Sequence, residues 1–285
     1  MTRLNVYGKV VAITGGSRGL GLHCAEILVK NGAKSIYITA RKQKGVDDAI
    51  QYLQKIVETY KDRDQLYHKG QDIIIRGIPA DVSTGKGVVA FLNLVQEKET
   101  QVDILIANAG ASWGAPLDQH PEAAIDKVLE LNIKGVFLTI QKFKPLLVKA
   151  GNEDYSARIL IMGSVAGITP TFGGEGGTYG YLASKAGVAH MGKMLALELG
   201  PQNVNVNIIA PGFFPSKMSN GLLEGEFGQH MISHNPKRRI GKQSDIENAI
   251  LFFAARESDY INGAVIPIDG GHHLGDSVPL SSGKL

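Results

Sequence analysis

Seven short, nearly unbroken apolar runs punctuate the chain, at residues 10–14, 35–40, 73–78, 104–107, 158–163, 205–209 and 264–268. Few of them alternate apolar with polar, which is how strands read when both faces of a sheet are covered. Between them lie longer segments, 20–31, 46–60, 87–100, 121–143, 181–199 and 245–256, whose apolar residues recur every three or four positions. That is the period of helices with one buried face. Strand and helix in alternation predict an α/β fold built on a doubly wound, parallel, seven-stranded sheet with helices on both faces. No repeat, linker or charge block divides the chain, so residues 1–285 are expected to form a single domain. Residues 61–71 read as a charged surface loop. Residues 213–242, rich in Gly, Asn, Pro and His, have neither period, and so long a connection predicts a substrate loop or lid. A short tail, 274–285, closes the chain.

In such sheets ligands bind beyond the carboxyl ends of the strands, so the residues after each strand carry the chemistry. The first strand runs into Thr14-Gly15-Gly16-Ser17-Arg18-Gly19-Leu20-Gly21. Glycines at 15, 19 and 21 permit a tight turn, and the helix beyond it aims free N–H groups at an anion such as a pyrophosphate. After the second strand, where an acid would hold a ribose 2′-hydroxyl, stand Arg41 and Lys42. A guanidinium there suits a 2′-phosphate, and Arg18 reaches from the other side. NADP(H) is therefore expected over NAD(H). The later strand ends bear Asp81-Val82, Asn108-Ala109-Gly110, Gly163-Ser164 and Pro211-Gly212. Tyr181 and Lys185, four apart, share one helical face, and an ammonium beside a phenol is expected to lower the phenol's pKa toward the working range of an acid/base.

Composition narrows the classes. Glycine supplies 35 of 285 residues, about 12% against an average near 7%, with no collagen-like period, so many tight turns are expected. A net charge of +3 gives no reason to expect nucleic acid. A lone cysteine, Cys24, allows neither an internal disulfide nor a cysteine metal cluster. His272-His273 lacks a third ligand at metal spacing, and no metal is expected. No apolar run suggests a signal peptide or a membrane span. The chain is expected in the cytoplasm, although Gly283-Lys284-Leu285 lies one residue from a peroxisomal address.

Taken together, Thr14 to Gly21, Asp81, Asn108-Ala109-Gly110, Asn132, Ser164, Tyr181 with Lys185, and Pro211-Gly212 resemble the short-chain dehydrogenase/reductase family over nearly the whole chain. The resemblance implies a Rossmann-type sheet and a hydride exchanged between a nicotinamide and a carbonyl carbon. It implies that Tyr181 is the acid/base and that Lys185 tunes it and binds the nicotinamide ribose. Ser164 would donate to the developing alkoxide, and Asn132 would position a proton-relaying water. Gly15, Ser17, Arg18, Gly19, Leu20, Gly21, Arg41, Lys42, Asp81, Val82, Asn108, Ala109, Gly110, Pro211, Gly212, Phe214 and Ser216 would contact cofactor. The segment between Ser164 and Tyr181 is a few residues longer than the usual spacing.

Within the family the chain is similar to 3-oxoacyl-[acyl-carrier-protein] reductase-like members linked to rhamnolipid synthesis, which implies a 3-oxoacyl thioester or another apolar ketone. Trp113, Phe172, Phe213 and Phe214 are candidates for an apolar pocket or for core and lid packing. The alternatives are a catalytically idle NADP-binding regulator or scaffold, a polyol or sugar dehydrogenase, and an epimerase or dehydratase relative. The resemblance also implies a homo-oligomer, tetramer or dimer.

Overall fold

The computed structural model describes residues 4–61, 72–170, 174–215 and 226–275. Its seven strands, β1 (Val10–Thr14), β2 (Ser35–Ala40), β3 (Ile74–Pro79), β4 (Ile104–Ala107), β5 (Ala157–Met162), β6 (Val204–Pro211) and β7 (Val265–Ile268), pair in the order β3-β2-β1-β4-β5-β6-β7. All pairings are parallel. The apolar runs explain the layout: β1, β4, β5 and β6 are buried along their whole length. Helices on both faces are what bury them.

On one face, helices α1 (Gly19–Lys30), α2 (Gln43–Lys61) and a late helix, Gln243–Ala254, cover a core that includes Ile13, Leu28, Ile36, Leu53, Ile106 and Ile250. On the other face, α3 (Gly85–Gln96), α4 (Glu122–Leu129), α5 (Val136–Ala150) and α6 (Tyr179–Leu199) cover Phe91, Leu105, Phe143, Ile159, Val188 and Val206. A further helix, α7 (Glu226–His234), stands inside the stretch read as irregular, and the late helix is therefore α8.

Two differences from the expected helices have physical causes. The expected helix 121–143 is α4 and α5 joined by a π-helical turn, Glu130–Gly135, which inserts an extra residue into the spiral. It also runs on past Pro145 to Ala150. Proline leaves the carbonyl four residues earlier without a partner, but Gln141 and Pro145 both lie on the exposed face, where water can serve that carbonyl.

Candidate active site

The strand order reverses between β1 and β4, and the glycine turn sits there. Gly15 (φ +67) and Gly19 (φ +53) adopt left-handed backbone that favours glycine. A Cβ on Gly15 would come within 2.9 Å of Ala109 Cα and Asn108 Nδ2, and one on Gly21 would strike the Gly15 carbonyl. Asn108 braces the turn: its Nδ2 donates to the carbonyls of Thr14 (3.1 Å) and Gly15 (3.0 Å). Thr14 Oγ1 accepts in return from the backbone N–H groups of Asn108 and Ala109, both at 3.1 Å. Beyond the turn, α1 begins without a side-chain cap and without an acid in its first turn. Its positive end is open to an anion.

Around this cradle lie exposed cations. Arg18, Arg41 and Lys42 are exposed, and no hydrogen bond or ion pair joins their side chains to a described residue. Ser17 abuts the first turn of α2, since a Cβ on Gly45 would lie 3.6 Å from its Oγ. Leu20 is partly buried against the core. Exposed Asp81 accepts from Ser83 N (3.1 Å) and Ser83 Oγ (2.8 Å), beside buried Val82. Pro211 ends β6, and Gly212 leaves no room for a Cβ against Asp269. Phe214 is 5% exposed and packs in the core beneath Gly241, while Phe213 meets His272 edge-on at 5.7 Å. These two aromatics serve packing in this structure, whereas Trp113 is 47% exposed. Phe172 and Ser216 lie outside the described residues.

The four candidate catalytic side chains converge on the same end of the sheet. The Ser164 hydroxyl lies close enough to the Tyr181 phenol to draw its pKa down, and it accepts from Ala166 N at 3.1 Å. Lys185, buried, donates from Nζ to the Met162 carbonyl at 2.7 Å, with Nζ 5.6 Å from the centre of the Tyr181 ring. A Cβ on Gly110 would lie 3.4 Å from Asn132 Oδ1 and 3.7 Å from Lys185 Nζ, so all three meet. Asn132 sits in the π-helical turn and grips Ala111 with both ends of its amide: Oδ1 accepts from Ala111 N and Nδ2 donates to Ala111 O, each at 2.9 Å. Its visible work is to hold the strand β4 loop.

One expectation needs correcting. The ammonium does not lower the phenol here: burial raises the Tyr181 pKa, and the Ser164 hydroxyl opposes it only in part. The same desolvation acts on the neighbour and lowers Lys185 to about 8. A charge that is itself costly to bury is a weak lever on the phenol.

Two residues were given no role of their own in the sequence reading. Ser184 is fully buried; its Oγ donates to the Tyr181 carbonyl (2.7 Å) and accepts from Asn132 Nδ2 (2.9 Å), tying the π-helical turn to α6. Thr14 is the other, the hub of the glycine turn. The long loop before Tyr181 is stitched to the loop after β4 through Ala115 N to Gly177 O at 3.1 Å, and Tyr179 leans edge-on against His120.

This arrangement has known counterparts. A family model described as enoyl-(acyl carrier protein) reductase matches residues 15–273. The rhamnolipids biosynthesis 3-oxoacyl-[acyl-carrier-protein] reductase of Pseudomonas aeruginosa is 36% identical over 271 residues, 95% of this chain and 98% of the relative. The 3-oxoacyl-[acyl-carrier-protein] reductase MabA of Mycobacterium tuberculosis is 30% identical, with 94% of each chain covered. The structure superposes on the Pseudomonas aeruginosa RhlG/NADP active-site complex with a TM-score of 0.84 at 34% identity, covering 95% of this chain and 98% of that one. Spanning nearly the full length of these relatives, with the glycine cradle and the Ser164, Tyr181 and Lys185 constellation at the carboxyl ends of the central strands, the chain belongs to the short-chain dehydrogenase/reductase family of oxidoreductases acting on alcohol and carbonyl carbons.

Proposed function

We propose that the protein is an NADPH-dependent carbonyl reductase whose substrate is a 3-oxoacyl thioester or another apolar ketone. The observation that carries this reading is the meeting of Ser164, Tyr181 and Lys185 beside a glycine cradle flanked by arginines that have no partner among the described residues. The residues fit an NADP cofactor: the cradle has no space for a Cβ at Gly15 or Gly21, and α1 starts uncapped. Arg18 and Arg41, exposed and without a partner among the described residues, would take a 2′-phosphate. When bound, the cofactor supplies the hydride.

The chain's own residues would do the rest. A phenol held above its ordinary pKa is protonated at neutral pH, which is the form needed to give a proton to a substrate oxygen as it gains charge. Ser164 Oγ, beside the phenol, would donate to the same oxygen. Lys185, fixed by the Met162 carbonyl, would orient the ribose. Asn132 and Ser184 hold the Ala111 loop and α6 in register, so the donors are positioned before substrate arrives. We further propose that the chain works as one domain, that segment 213–242 covers the substrate, and that the protein is a homo-oligomer. Exposed Phe137 on α5 with Met194 and Leu197 on α6 supports the last point.

The test is NADPH oxidation against 3-oxoacyl thioesters, simple ketones and a 2-enoyl thioester, with NADP-linked polyol oxidation alongside. Turnover of the oxoacyl thioesters is expected. Tight NADPH binding with no turnover of any carbonyl compound would overturn the reading in favour of a cofactor-binding regulator.

A further inference from the structure

Helices α1, α2 and α8 meet on the sheet face opposite α6, and their junction is polar where a core would be apolar. His23 and Glu26, three apart on α1, share one face, and Glu247 approaches from α8. One ligand atom from each lies within 4.8 Å of the others, and no hydrogen bond joins any two of them. Glu26 and Glu247 are only 4% and 8% exposed.

The charges do not balance. Glu26 Oε1 takes the Lys30 ammonium, and its Oε2 accepts from Tyr52 OH (2.6 Å) and Gln243 Nε2 (3.0 Å). Glu247 accepts only from the neutral Gln243 amide, at 2.7 Å, and no cation pairs with it among the described residues. His23 Nδ1 is enclosed and has no hydrogen-bond partner. A buried carboxylate that shares one ammonium, Lys30, with a second carboxylate and a buried ring nitrogen without a partner are each costly. One ligand answers both.

We propose that His23, Glu26 and Glu247 bind a divalent transition-metal cation, with zinc the first candidate, and that the ion clamps α1 to α8. One imidazole and two carboxylates are a donor set that zinc accepts, with water completing the shell. Tyr52 and Gln243 would hold the carboxylates from outside. The sequence reading expected no metal on the ground that His272-His273 lacks a third ligand, and Glu247 comes from a distant helix that only the fold brings near.

Metal-stripped protein titrated with zinc chloride, by calorimetry and by thermal unfolding, tests this. Wild type is expected to bind one equivalent with a rise in melting temperature of roughly 5 °C at a hundredfold excess over Kd. His23→Gln and Glu247→Gln, which keep polar side chains of similar size, are expected to weaken binding at least tenfold while their metal-free circular dichroism matches wild type. Cobalt(II) in place of zinc should give a visible d–d band that His23→Gln loses. The pair His230 and His234 on α7, with tilted rings 3.8 Å apart, is the built-in control. No binding by wild type overturns the proposal. So does binding that survives both variants, or that disappears in His230→Ala/His234→Ala but persists in His23→Gln.

Discussion

The two ends of the sheet treat buried charge in opposite ways. At the amino ends of the strands, Asp103 takes Lys9 Nζ at 3.1 Å and the Val10 N–H at 3.0 Å. Glu99 takes Lys34 Nζ and Ser35 Oγ, each at 2.8 Å. Arg158, fully buried, pairs with Asp259 at 2.9 Å and donates to the Ser156 and Ala255 carbonyls. Lys9 also stands 3.2 Å above the Tyr155 ring. At the carboxyl ends, Lys185 is nearly as buried but among the described residues has no anion, only the Met162 carbonyl, and Arg18 and Arg41 have no described partner. Charge closed on itself stabilises the fold. Charge left open at the other end is available to a ligand, at a cost in stability.

Breaking each end separately should therefore give opposite signatures. Tyr181→Phe removes the proposed proton donor at the open end, and kcat should fall about a thousandfold. NADPH affinity and melting temperature should stay near wild type, as fluorescence titration and calorimetry would show; wild-type activity would remove Tyr181 from the mechanism.

Asp259→Ala attacks the closed end and should do the reverse. It strands the Arg158 guanidinium, whose cost is about 3 kcal/mol, toward the lower end of the usual range because Asp259 is 40% exposed. Chemical denaturation should show that loss with kcat/KM unchanged. The pH dependence has a definite sign. Burial pushes the Asp259 carboxyl up, but the Ser156 N–H and Arg158 outweigh it, and its pKa ends below the ordinary value. Its contribution is present above the unfolded carboxyl range near pH 4 and is lost as pH falls through the lowered value. The gap between wild type and variant should narrow in acid.

Lys185→Met sharpens the contrast, because one residue should trade activity against stability. Burial lowers Lys185 to about 8, so between pH 8 and the unfolded value near 10.4 the unfolded chain binds a proton that the folded chain refuses. Wild type should thus gain stability from this group as pH rises through that window, and below it the penalty is complete. The variant should be more stable than wild type at pH 7, by at most about 3 kcal/mol, with the difference closing toward pH 10. Its activity should fall about a hundredfold.

How much of this was legible in the sequence follows from the range of each signal. The strands were plain, because a run such as Ile159-Leu160-Ile161 is buried on both faces and needs no partner to be read. The π-helical turn at Asn132 was hidden, since one extra residue barely disturbs a three-to-four apolar spacing. Helix α7 was missed because, at nine residues, it is too short for a helical period to stand out from the Gly-, Asn- and Pro-rich stretch around it. Tyr181 and Lys185 were found by their spacing, but spacing carries no information about desolvation, which here decides both pKa values. Ser184 and Thr14 are small hydroxyls that gain meaning only once the amides of Asn132 and the Asn108 loop need partners. Glu247 is the extreme case: an ordinary glutamate in an amphipathic helix, until α8 lies against α1.

The smallest effect tests the open end at its rim. Arg41 is exposed at the end of β2, close to the turn that bears Arg18, and carries no structural bond to a described residue. Arg41→Asp should leave the fold intact, because nothing depends on that guanidinium for packing. A carboxylate there repels a 2′-phosphate and accepts a ribose hydroxyl, so NADPH should weaken roughly thirtyfold, about 2 kcal/mol, while NADH holds or improves. Raising the salt concentration should shrink the NADPH preference of wild type, because the contact is solvent-exposed and screened. A cofactor ratio unmoved by both the substitution and salt would mean that the open cations do not read the phosphate, and the contrast between the two ends would then rest on Lys185 alone.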